Sequence, residues 1–99
     1  MSFGLSSSDY KTFEDIVVNP LKKAGFKVYI FGSRATGKQT PFSDIDVLLE
    51  KPTSGQSSVL SDVKEQIEES RFPIKVDFVL IENLASSYAP RIHREKIEV

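Results

Sequence analysis

The chain has 99 residues, 39% hydrophobic and 27% charged, which fits one small domain over residues 1–99 with a single modest core and excludes a disordered polypeptide. It has no cysteine, so disulfides and thiolate zinc sites are excluded, and a formal net charge of −1 gives no global reason to expect direct nucleic-acid binding. No apolar run approaches the ~20 residues of a membrane span, and the N-terminus lacks a basic segment followed by an apolar one; a soluble cytoplasmic protein is the expectation.

In chain order, Ser6-Ser7-Ser8-Asp9 offers N-caps for a first helix, in which Phe13, Ile16, Val17 and Leu21 recur at helical spacing. Gly25 is its stop signal, and Pro20 predicts a kink or break near Asn19-Pro20. Phe26 to Phe31 is an apolar, β-prone run that ends at the turn signal Gly32-Ser33. A short basic loop or helix with Arg34, Gly37 and Lys38 follows. Pro41-Phe42-Ser43 closes it, and a second strand runs from Asp44 to Glu50.

The polar stretch Lys51 to Ser58 predicts a loop, and Val59 to Ser70 a helix with Leu60, Val63 and Ile67 on its apolar face. Lys64 and Glu68 have the spacing of an i,i+4 pair. Ile74 to Ile81 is a third strand, Glu82 to Arg94 a helix interrupted at Pro90, and Lys96 to Val99 a short last strand.

Chemistry concentrates around the first two strands. Residues two apart in a strand share a face, which places Asp44 and Asp46 together, about 7 Å apart at Cα. Two adjacent carboxylates repel and resist burial unless a cation lies between them. Mg²⁺ takes oxygen ligands and is held by one or two carboxylates plus substrate phosphates. Upstream, Gly32 lets the backbone approach a ligand, and Ser33 offers an N–H and a hydroxyl; if a short helix starts at Ser33, its N-terminus favours an anion. Arg34 and Lys38 flank this turn as candidate phosphate-neutralising cations, or as merely solvated loop residues. Asp77 interrupts the apolar run of the third strand. There an aspartate is costly unless it ligates a metal, pairs with Lys75, or faces water from an edge strand.

Gly32-Ser33, ten intervening residues, Asp44-x-Asp46, then Asp77 in a later strand together resemble the DNA polymerase β nucleotidyltransferase superfamily. The wording FGSRATGKQTPFSDIDVLL is similar to the signature of the minimal nucleotidyltransferases, the antitoxins of HEPN–MNT toxin–antitoxin pairs, with Thr36 where a second arginine is common. The opening GLS-S-D, the strand KVDFV and the ending I-H-R-E resemble that family too. The resemblance implies an α/β (α+β) fold, a small mixed sheet of about four strands with helices packed on one side. It implies ATP as cosubstrate and Mg²⁺, as two ions, as cofactor. Gly32 and Ser33 would hold the triphosphate, Asp44 and Asp46 would ligate both metals, and Asp77 would ligate the catalytic metal and help deprotonate the attacking hydroxyl. In those pairs AMP is transferred to a tyrosine of the HEPN ribonuclease toxin, which makes that toxin the expected hetero-oligomeric partner.

Two other readings stand beside this one. An antitoxin could neutralise its partner by binding alone, or the acceptor could be a small molecule, although so short a chain leaves little room for an acceptor pocket. His93 is the only histidine, so a histidine-based nucleophile triad has little to build on. With Arg91, Arg94 and Lys96 it makes a basic cluster that is either a solvated face or a contact for an acidic partner or RNA.

Overall fold

Why the chain folds as it does is visible from its first helix. The computed structural model describes residues 2–52 and 57–99. α1 spans Ser7–Phe13, and Ser6 is its cap, Oγ accepting from the Asp9 amide at 3.1 Å. The helical path then widens into one π turn, Glu14–Val18, and resumes as α2, Asn19–Lys23. This is what stands at the site where a kink or break near Asn19-Pro20 is expected. Proline has no N–H to donate, and its ring would crowd the carbonyl four residues back in a regular turn. The wider turn, with the Asn19 amide on Glu14 O, lets the helix continue, and Pro20 falls in the first turn of α2 where its amide is not needed.

α2 stops where the sequence predicts. Gly25 lies at φ +97°, its amide reaching Lys22 O at 3.0 Å and the Phe26 amide reaching Leu21 O at 3.0 Å. That is a Schellman stop, and Leu21 and Phe26, its apolar pair, are both buried.

β1 (Lys27–Phe31), β2 (Ile45–Glu50), β3 (Val76–Leu80) and β4 (Ile97–Glu98) form one mixed sheet in the order β3-β2-β1-β4. β1 pairs antiparallel with β2 and with β4, whereas β2 and β3 are parallel. The parallel step needs a crossover, which contains α4, Ser57–Glu69. Residues 53–56 of the expected polar loop lie outside the described residues.

β2 is a central strand, and Ile45, Val47, Leu48 and Leu49 are all buried. Val28 and Ile30 of β1, with Ile45, Val47 and Leu49 of β2, pack against Phe13, Val17 and Leu21 and against Val63 and Ile67 of α4. Strand alternation sends Asp46 and Leu48 to the opposite face. Lys64 lies over the Phe78 ring at 5.9 Å rather than closing the expected pair with Glu68.

After β3 the chain differs from a helix interrupted at Pro90. Ile81–Asn83 is a single 3₁₀ turn, and α5 spans Ala89–Glu95 with Pro90 in its first turn. Proline begins this helix because its missing donor costs nothing there. Beyond α5, Lys96 covers the Tyr29 ring at 4.5 Å.

Candidate active site

The site is assembled where β1 ends. Gly32 has φ +76° and ψ −154°, a conformation essentially closed to residues with a Cβ. Its carbonyl accepts from the amides of Ala35 (3.1 Å) and Thr36 (3.2 Å) and so starts α3, Ser33–Thr36. Gly37, at φ +79°, ends that turn, and the Lys38 amide closes on Ser33 O at 2.9 Å. Phe31 and Asp46 are register partners, which sets the Asp46 side chain beside the Gly32 turn. A Cβ built at Gly32 would collide with Asp46 Oδ2. The backbone conformation therefore requires glycine, and a Cβ there would also push the Asp46 carboxylate from its place.

The carboxylates come from two strands and the loop before one of them. Asp46 and Asp77 are direct partners across the parallel β2–β3 pair. Residues in register on adjacent strands share a face, so both point away from the main core. Asp44 immediately precedes β2, whose first amide, Ile45, is held by Lys75 O at 2.9 Å. Burial pushes the Asp46 carboxyl above the usual carboxylate range, and the charges of Asp77 and then Asp44 push it further in the same direction. Asp77 and Asp44 thus both bear electrostatically on Asp46.

Among the described residues, no three carboxylate or imidazole side chains converge closely enough to hold a metal ion as they stand. Asp77 leans instead on Lys75, Oδ1 to Nζ at 3.6 Å, with its side chain 43% exposed on an edge strand. The donor set nonetheless suits Mg²⁺: hard oxygens only, one of them penalised for being charged, beside a turn with no side chain in the way.

The two cations of the loop separate. Lys38 is exposed just beyond α3. Arg34 is 3% exposed, donating from Nε to Ser43 O at 3.0 Å and from Nη1 to Phe3 O at 2.9 Å. Buried and bonded in this way, it is neither the solvated loop residue nor the exposed phosphate-neutralising cation that the sequence leaves open. Its guanidinium is committed to two main-chain carbonyls, tying the N-terminal segment to the loop that delivers Asp44. Sequence reasoning also passes over Phe42, which is 91% exposed at the tip of that loop. The available signal is a bulky aromatic inside a polar loop just ahead of the two aspartates.

Comparison with solved structures supports the fold. One, of a candidate minimal nucleotidyltransferase, is 23% identical with TM-score 0.72, covering 97% of this chain and 98% of that one. A second, of a toxin-antitoxin with AMP-PNP, is 17% identical with TM-score 0.62, covering 86% of this chain and 70% of that one. At these identities the likeness concerns the fold alone. Among curated proteins nothing matches. The sequence profile of the nucleotidyltransferase domain matches residues 11–99, which include the Gly32-Ser33 turn and all three aspartates, and the chain belongs to that family.

Proposed function

We propose that this chain is an ATP- and Mg²⁺-dependent protein adenylyltransferase. It acts as an antitoxin by transferring AMP to a tyrosine hydroxyl of a HEPN ribonuclease toxin. The observation that carries the reading is the register of Asp46 with Asp77 beside the Gly32 turn, because it brings carboxylates and a glycine turn into one corner of the sheet. The likeness to a toxin-antitoxin structure containing AMP-PNP supports an adenine nucleotide and a protein partner.

In this reading the main chain at Gly32 and Ser33 holds the triphosphate, with Lys38 close enough in sequence to add positive charge. Asp44, Asp46 and Asp77 would hold Mg²⁺, which when bound neutralises the charge that builds up on the transferring phosphate. Asp77 accepts the proton of the acceptor hydroxyl, a poor nucleophile at neutral pH because its pKa is about 10. The oxygen then forms its bond to the α-phosphorus. The bond from that phosphorus to the bridging oxygen breaks, and pyrophosphate leaves with the electron pair. Arg34 takes no part in these steps; it keeps the loop before Asp44 in place.

The test is intact-mass measurement of a candidate HEPN protein after incubation with this chain, ATP and Mg²⁺, beside an Asp44→Asn/Asp46→Asn control. A gain of one or more AMP units on the partner, absent in the control, is the expected result. A stable complex with no gain in mass would replace transfer with neutralisation by binding.

A further inference from the structure

Phe42 is 91% exposed; among the described residues the other large apolar side chain in the open is Tyr88, at 43%. Single exposed apolar residues are common and by themselves mean little. What sets Phe42 apart is how it is held. The turn Thr40-Pro41-Phe42-Ser43 is closed by the Ser43 amide on Thr40 O (3.1 Å) and the Thr40 amide on Ser43 Oγ (2.9 Å). Pro41 restricts its own φ. From beneath, buried Arg34 donates to Ser43 O, and its other bond anchors it to Phe3 O. The loop therefore presents an aromatic side chain on a stiff backbone, one residue before the Ser43-Asp44 link into the carboxylate site.

Resting on the reading that the chain acts on a protein, we infer that Phe42 is the anchor by which a protein partner with an apolar pocket docks at the mouth of this site. Because the backbone that carries it is already ordered, covering the ring costs only the freedom of its own two side-chain torsions, which favours it as an interface anchor. A nucleotide base is a poorer occupant. A stacking platform in a cleft has one ring face backed by its own protein, whereas at 91% exposure Phe42 has almost no such backing. A partner seated on Phe42 is brought beside Asp44, so the same contact that gives affinity delivers the acceptor to the chemistry.

The experiment uses the full chain and the candidate HEPN protein and reads two affinities by calorimetry, for that protein and for AMP-PNP with Mg²⁺. Phe42→Ser should weaken the protein complex by about 30-fold or more, the scale of an interface anchor. AMP-PNP affinity and the melting temperature should not change, because the side chain touches almost nothing in its own chain. Phe42→Leu should retain most of the protein affinity. Unchanged protein affinity in Phe42→Ser would overturn the inference, as would loss of AMP-PNP affinity with the complex intact, which would mark a base platform. If the wild-type chain binds the HEPN protein in a Phe42-dependent way yet transfers no AMP, the catalytic reading fails while the docking inference holds. No complex with the wild-type chain would overturn the docking inference, and the catalytic reading with it if no AMP is transferred.

Discussion

Asp46 on β2 and Asp77 on β3 stand directly opposite each other across the parallel strand pair, although 31 positions separate them in sequence. The pairing leaves Asp46 partly buried, with a second carboxylate alongside and a third, Asp44, two residues upstream. It predicts a definite pH behaviour. Because the folded pKa of Asp46 is raised, the folded state holds its proton more tightly than the unfolded chain does. The resulting penalty is absent below the unfolded carboxylate pKa, grows as pH rises towards the folded pKa, and is fully present above it. In metal-free buffer, Asp46→Asn should therefore raise the melting temperature at neutral pH. The gain should disappear by about pH 3, below the ordinary carboxylate pKa. A gain that persists in acid would show that burial of charge is not its cause. Mg²⁺ should raise the melting temperature of the wild-type chain and have less effect on the variant.

Replacing Asp77 separates catalysis from folding. Its side chain is 43% exposed and its partner Lys75 is 71% exposed, so the ion pair adds little, about 0–1 kcal/mol. Asp77→Asn should abolish AMP transfer in the mass assay and leave the urea midpoint nearly unchanged. Normal turnover by a well-folded variant would remove Asp77 from the proposed mechanism.

Gly32 should tolerate no side chain. Alanine there adopts a backbone region that costs on the order of 1–3 kcal/mol and also places its Cβ against Asp46 Oδ2. Gly32→Ala should therefore destabilise the fold by more than the backbone strain alone. In a double-mutant cycle with Asp46→Ala, chemical denaturation should recover the collision but not the strain, giving a coupling above the ~0.5 kcal/mol expected of independent sites. Strict additivity would mean that the two groups do not meet.

Arg34→Met keeps much of the buried volume but leaves Phe3 O and Ser43 O without their charged donor. A loss of about 3 kcal/mol in urea unfolding is expected, since hydrogen bonds to charged groups contribute about 1.5–3 kcal/mol each. A change below 0.5 kcal/mol, as for an ordinary surface substitution, would show that the clamp is dispensable.

Much of this architecture is legible locally. The apolar runs that became β1, β2 and β3 stand out by composition and length, and the structure moves their ends by one or two residues. Ser6 and Gly25 act as start and stop signals because capping depends on a side-chain oxygen and on a positive φ, both properties of a single residue. Pro20 and Pro90 were harder to place. Proline says that a donor is missing, and only the surrounding packing decides whether the helix breaks, widens or begins there.

By itself the sequence determined the Gly-Ser turn, the spacing of Asp44 and Asp46, and the oddity of an aspartate within an apolar strand, because each follows from local sterics or strand alternation. The tertiary structure alone decided that Asp77 faces Asp46, since register between β2 and β3 depends on a crossover and a shared core. It also decided the fate of Arg34. A guanidinium beside a phosphate-type turn and one buried under it read identically in sequence. Its acceptors lie 9 and 31 residues away, and only folding brings them within reach.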